Sequence, residues 1–316
     1  MVMNLLVIGN GFDLAHGLKT NYLDFLQWAY ENEHMGRNYG KGVGHIRCGN
    51  GVTMPYPGFD LQWYWDNRLS QSYKHDPAFA WVLFKEHDSW IDLENNLAVC
   101  LESTEIKRKL NERGFGAMQA LFTEFLLPKF EQYIAEVINN DSATERKLLV
   151  SGADLVLSFN YSNTFERLYG ERKQKVCYIN GKAQAQAIHS NIVFGCDCYE
   201  YSSQGKDQMG FDKVVQRTQK NTCDAYKDWI SEDNKNHYQI HIVGHSIGKT
   251  DWDILRPLVT AKGNTTQVYY HDEEAYNDLV FNMIGMVGRE IMIQRKIDFH
   301  HISELNIERH SGIVVI

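Results

Sequence analysis

Gly244-His245-Ser246-Ile247-Gly248 follows the strand-like stretch 240–243 and matches G-x-S-x-G, the turn that exposes a nucleophilic serine in α/β-hydrolases. Asp272 and then His300 or His301 complete the order Ser, Asp, His, so acyl hydrolysis through Ser246 is one reading of this chain. The same turn also reads as a strand end, where a glycine and a serine hold the phosphate or ribose of a nucleotide and Asp251 caps the next helix. Asn160 directly follows a second strand-like stretch, 155–159. A carboxamide both donates and accepts, which suits a ribose hydroxyl, and ligands of open α/β sheets dock at the carboxyl ends of strands. The third stretch supplies backbone. Residues 5–8 run into Gly9-Asn10-Gly11 and then Phe12-Asp13, a glycine turn of the kind that presents N–H groups to a phosphate. Leu14 stands where the third glycine of G-x-G-x-x-G belongs. A nucleotide is the expected ligand class.

Those residues need strands to end together. Residues 5–8, 148–150, 155–159, 176–179, 192–194, 238–243 and 267–270 read as strands, with helices over 164–168 and 252–259. Ser162 or Asn163 is placed to cap the first of these helices. Strands alternating with helices predict an α/β fold, Rossmann-like, with a mostly parallel sheet. Between residues 21 and 147 the pattern is helical instead: Tyr22, Phe25, Leu26 and Ala29 recur at three- and four-residue spacing. The division predicted is a nucleotide-binding core of 1–20 and 148–316 with a large helical insertion over 21–147. Within the insertion, glycines and prolines mark 36–58 as a long loop, and Trp63, Trp65, Trp81 and Trp90 read as core of further helices. The tail from residue 291 reads as cover for a sheet edge or as a dimer contact.

Composition narrows the class. The chain is 43% hydrophobic and 23% charged, an ordinary globular balance. Its net charge of −8 argues against general nucleic-acid binding. No run approaches the roughly 18 apolar residues of a membrane span. Met1 leads straight into a strand rather than into a basic, then apolar leader, so a cytoplasmic location is expected. Six cysteines are dispersed without a C-x-x-C pair, which reads as reduced thiols and no structural metal. Neither H-E-x-x-H nor a P-loop motif occurs.

Four ordered blocks together, IGNGFDLAHGLKTNYLDF (8–25), SFNYSNTFERLY (158–169), NIVFG (191–195) and IVGHSIGKTDWDIL (242–255), resemble the AbiH abortive-infection family of bacterial anti-phage proteins. That family is similar in turn to sirtuin-like NAD-binding folds, and the resemblance implies an enzyme that hydrolyses NAD to nicotinamide and ADP-ribose. It implies that Gly9, Asn10, Gly11, Phe12 and Asp13 line the phosphates or ribose, that Asn160 orients the ribose, and that Gly244, His245, Ser246 and Asp251 hold the far half of the nucleotide. One departure stands out. The sirtuin-like base is a histidine after the strand that follows the asparagine motif, and here that place holds Asn180, which cannot accept a proton at neutral pH. His16 and His189 are the candidates to replace it. A nucleotide-binding sensor without catalysis is the alternative, ahead of the Ser246 hydrolase. The resemblance also implies a trigger: a phage-derived partner, self-association or a ligand.

Overall fold

The computed structural model describes residues 2–22, 24–25, 28, 44–47, 53–56, 94, 97–98, 127–141, 145, 147–170, 174–185, 190–196, 206–231, 234–294 and 296–307, with 44–47, 53–56 and 206–208 as backbone only. Strand β1, Val2–Ile8, lies at the centre. Leu5, Leu6, Val7 and Ile8 are all buried, as a strand covered on both faces requires. Leu5 and Val7 point into one cluster, with Leu157, Ile240, Ile242 and Leu255. Leu6 and Ile8 point into the other, with Phe12, Val156, Phe165 and Leu168. That period of two is the strand repeat read on both faces at once.

The chain then forms helix α1, Asn10–Ala15, and a separate antiparallel hairpin, β2 Gly44–Arg47 with β3 Thr53–Tyr56. That hairpin corrects the reading of 36–58 as loop for 44–47 and 53–56 alone; the rest of that stretch and the tryptophan segment 63–90 lie outside the described residues. Helix α2, Leu127–Tyr133, continues as a π-helix over Ile134–Ile138. The core resumes with β4 Leu155–Ser158, α3 Thr164–Tyr169, β5 Lys175–Tyr178, α4 Lys213–Lys220, α5 Tyr226–Ile230 and β6 His237–Val243. It closes with α6 Trp252–Thr260, β7 Thr265–Tyr270, α7 Glu273–Gln294 (broken at Gly288) and β8 Ile297–His301.

The sheet order is β5-β4-β1-β6-β7-β8, with each neighbouring pair parallel. Read along the chain, the strands run outward from β1 to one edge, return beside β1, and run out to the other. That is the doubly wound Rossmann-like order, and its switch point lies between β1 and β6. Register finishes the job. Ile8 sits opposite Ser158 and Val243, and Ser158 opposite Tyr178, so four strands end at one level. Residues 9–13, 159–162, 179–180 and 244–246 therefore leave the sheet together.

Several expectations change. Residues 148–150 supply one bridge, Leu149 to Asn306, rather than a strand. Residues 192–194 are buried but unpaired in the sheet; Val193 instead donates to the Asn180 carbonyl. The tail supplies the edge strand β8 itself. Cys177 on β5 is bonded to Cys223, Cα to Cα 5.3 Å, where separate thiols were expected. The two are 46 residues apart, a spacing that carries no motif. Among the described residues no helix is long and apolar enough to cross a membrane.

Candidate functional site

A cleft of about 180 Å³ opens at the switch point. Gly9, Asn10, Gly11 and Asp13 line it from the β1 side, Asn160 from β4, Asn180 from β5, and Gly244, His245, Ser246 and Asp251 from β6. Four strand ends separated along the chain thus meet in one place, as the shared register demands. Phe130 and Ile134 form an apolar wall where α2 passes into its π turn, a helix irregularity often found at functional sites.

Three amides of the glycine turn are committed to backbone carbonyls. Gly9 donates its N–H to the Val243 carbonyl at 3.3 Å, Gly11 to the Gly244 carbonyl at 2.8 Å, and Phe12 to the Gly9 carbonyl at 2.9 Å. The Gly9 and Gly11 amides are thus spent on joining the β1 and β6 turns, and the Phe12 amide closes the β1 turn on itself. The glycines are there for contact. A Cβ on Gly11 would stand 2.8 Å from the Gly244 Cα, and Gly244 itself has φ 63°. Gly11→Ala is therefore expected to lose about 1–3 kcal/mol, since backbone faces backbone and no side chain can move aside. Urea unfolding measures this, and a loss below a few tenths would show that the two turns can separate freely.

Asn160 donates Nδ2 to the Gly9 carbonyl at 2.9 Å. Ser162 caps nothing; its Oγ is given to Asp13 Oδ2 at 2.6 Å and lies 3.0 Å from Thr164 Oγ1. Asp13 is 2% exposed. Its second oxygen, Oδ1, has no partner among the described residues. Burial pushes the carboxyl up from 3.8 to about 6, against the pull of the Ser162 and Thr164 hydroxyls, the Asn160 amide and Arg167. Asn180 accepts from Arg217 Nη2 at 3.2 Å.

Across the cleft sits a buried ion network that sequence reading missed. Lys213 Nζ lies 2.9 Å from both Glu94 Oε2 and Asp251 Oδ1 and donates to Thr250 Oγ1. Arg217 pairs with Asp253 at 2.6 Å. Asp251 is therefore an ion-network member rather than the helix cap predicted, and it makes no capping bond. Burial raises it, but Lys213, His245 and Arg217 together hold it below the usual carboxylate range. Burial pulls the Lys213 ammonium down, and Asp251 and Glu94 more than reverse this. Lys213 and Arg217 share a helix face at i, i+4, which is the one part of the network that spacing alone could suggest.

Two predicted residues lie away from the cleft. Phe12 is core, packed with tilted rings among His16, Phe165 and Tyr169. His16 is 2% exposed, its Nδ1 2.7 Å from the Phe12 carbonyl and its Nε2 2.8 Å from Tyr169 Oη. Both ring nitrogens are engaged, and burial holds the imidazole below its usual 6.5, so it braces α1 rather than facing a substrate. His189 lies outside the described residues. The hydrolase reading loses its geometry too. Ser246 is exposed and bears no positive φ; Gly244 and Ile247 do. His301 instead spends its ring on Ser303 and the His271 carbonyl, while His300 faces Glu304.

A model of the bacteriophage abortive infection AbiH family matches residues 5–271. The chain belongs to the AbiH family. The match runs from β1 through the end of β7 and so takes in every cleft-lining segment, which gives this AbiH chain a role in bacterial anti-phage abortive infection. No curated protein and no solved structure matches it.

Proposed function

We propose that this AbiH chain binds NAD or a related nucleotide in the switch-point cleft and hydrolyses it to nicotinamide and ADP-ribose. The observation that carries the reading is the meeting of Asn160, Asp13 and the β6 turn around one cavity at the carboxyl ends of β1, β4 and β6. The charge of the cleft favours the nicotinamide riboside half. Asp13, Glu94 and Asp251 outnumber Lys213 among its lining charges, a setting that suits hydroxyls and a cationic pyridinium better than a pyrophosphate. Its volume is also below the roughly 300–1,000 Å³ that encloses a whole drug-sized ligand, so the adenylate half would extend beyond it. Cleavage builds positive charge on the ribose carbon, and Asn160 Oδ1 would fix a ribose hydroxyl so that water meets that carbon in line.

Phage-infected cells carrying the chain are expected to lose NAD, and purified protein to release nicotinamide. Asn160→Ala should cut release by about 100-fold or more. It should also lower stability by about 1 kcal/mol, because the buried Gly9 carbonyl then keeps only the Phe12 N–H. Undiminished NAD loss with Asn160→Ala would remove the assignment. NAD binding without nicotinamide release, in the triggered cell as in the tube, would leave a nucleotide sensor.

A further inference from the structure

We propose that Asp13 is the catalytic residue that takes the proton from the attacking water. The proposal rests on the NAD-cleaving reading of the cleft. Asn180 occupies the place of the expected base and cannot accept a proton, and His16 faces the core with both nitrogens engaged. Asp13 has what a water-activating base needs. One oxygen, Oδ2, is anchored by Ser162 at 2.6 Å, which fixes the plane of the carboxylate. The other, Oδ1, is buried in the cleft wall without a partner among the described residues. A buried carboxylate oxygen left unsatisfied is costly, and such groups are rarely without a use. Asn160 lines the cleft beside it, so the residue that would hold the ribose and the residue that would hold the water share a wall.

The step balances without a further reactant. The water oxygen bonds to the ribose C1′ as its proton passes to Asp13 Oδ1. The electron pair of the C1′–N bond returns to the pyridinium ring, which leaves as neutral nicotinamide, and Asp13 then releases its proton to solvent. A carboxyl pushed up to about 6 is ionised at neutral pH yet basic enough to act. The groups that face it are the Ser162 and Thr164 hydroxyls and the Asn160 amide from the β4–α3 turn, Arg167 on α3, and Tyr178 on β5. Glu94, Asp251, His245 and Lys213 lie farther round the cleft.

Nicotinamide release and NAD affinity are measured across pH for the full chain, Asp13→Asn and Asp13→Ala. Expected is a rate that rises through about pH 6 and levels above it. Asp13→Asn should lose about 100- to 10,000-fold in release while still binding NAD. Azide, a nucleophile with no proton to remove, should restore cleavage in Asp13→Ala; a merely structural role would not respond to it. If either variant fails to fold, Ser162→Ala decides. It removes a bond that favours the ionised form, so the acid limb must move to higher pH, and an unmoved limb overturns the proposal. Full activity in Asp13→Asn overturns it while leaving the NAD reading intact. A wild-type chain that never releases nicotinamide overturns both.

Discussion

Replacing Lys213 with methionine should cost about 3–5 kcal/mol at pH 8, the largest loss expected from any single change at the cleft. Lys213 is 1% exposed and holds Glu94 and Asp251 at 2.9 Å each. Methionine fills the space of the stem but leaves two carboxylates buried against one another, with Arg217 Nη2 3.7 Å from Asp251. The loss depends on pH. Burial, with Asp251 beside it, already pushes the Glu94 carboxyl up despite Lys213. Without the lysine, protonation becomes the way out for both carboxylates. Groups raised in the folded state stabilise it below their unfolded values and withdraw that support as pH rises. The defect should therefore shrink towards pH 5 and be full at pH 8. Urea unfolding at the two values checks this, and a loss below about 1 kcal/mol at pH 8 would show that the network contributes little. Glu94→Gln is the control. It keeps acceptors for Lys213 and Thr250 and removes the charge that burial opposes, so it should cost far less.

The sheet was legible because its strands are buried on both faces. Residues 5–8 read as an unbroken apolar run and 240–243 as one interrupted only by His241, and such runs have few other uses. β8 was not, because Ile297-Asp298-Phe299-His300-His301 sits at an edge and mixes polar with apolar side chains at partial burial. The meeting of Gly9–Asp13, Asn160 and Gly244–Ser246 was legible once each was placed at a strand end, since parallel strands in register must deliver their ends together. What those residues do there was less so. Glycine is called for equally by a phosphate and by a second backbone, and only the bonds from Gly9 and Gly11 to the β6 turn tell the two apart. Lys213 was missed for a related reason. A lysine in a helix as polar as Lys213–Lys220 reads as solvated, and the carboxylate that buries it, Glu94, comes from a distant part of the chain. His16 shows the converse. Its place in IGNGFDLAH suggested chemistry, but a helix of six residues turns position 16 back onto Phe12 and Tyr169.

Asp13→Asn should make the protein more stable at neutral pH, by about 3 kcal/mol. Asp13 titrates at about 6 in the fold against an ordinary 3.8, so the folded state holds the proton more tightly. Its contribution is then fully present below pH 3.8, declines between 3.8 and 6, and above 6 stands as a constant cost of keeping a charge in a buried wall. An asparagine carries no such charge. Its carbonyl can still accept from Ser162, and its amide would take the place of Oδ1 in the buried cleft wall. Urea unfolding at pH 4 and pH 8 separates the cases: the variant should nearly match the natural chain at the first and exceed it at the second. His16 acts with the opposite sign, losing stability as pH falls below 6.5, but both chains carry it and it drops out of the difference. Equal or lower stability of the variant at pH 8 would mean that the carboxylate is well solvated through the cleft. The two expected signs belong together. A buried group that weakens the fold when ionised, and whose replacement strengthens it, is one that packing alone would not select. The use that remains is at the cleft, where an ionised oxygen without a partner among the described residues can receive a proton.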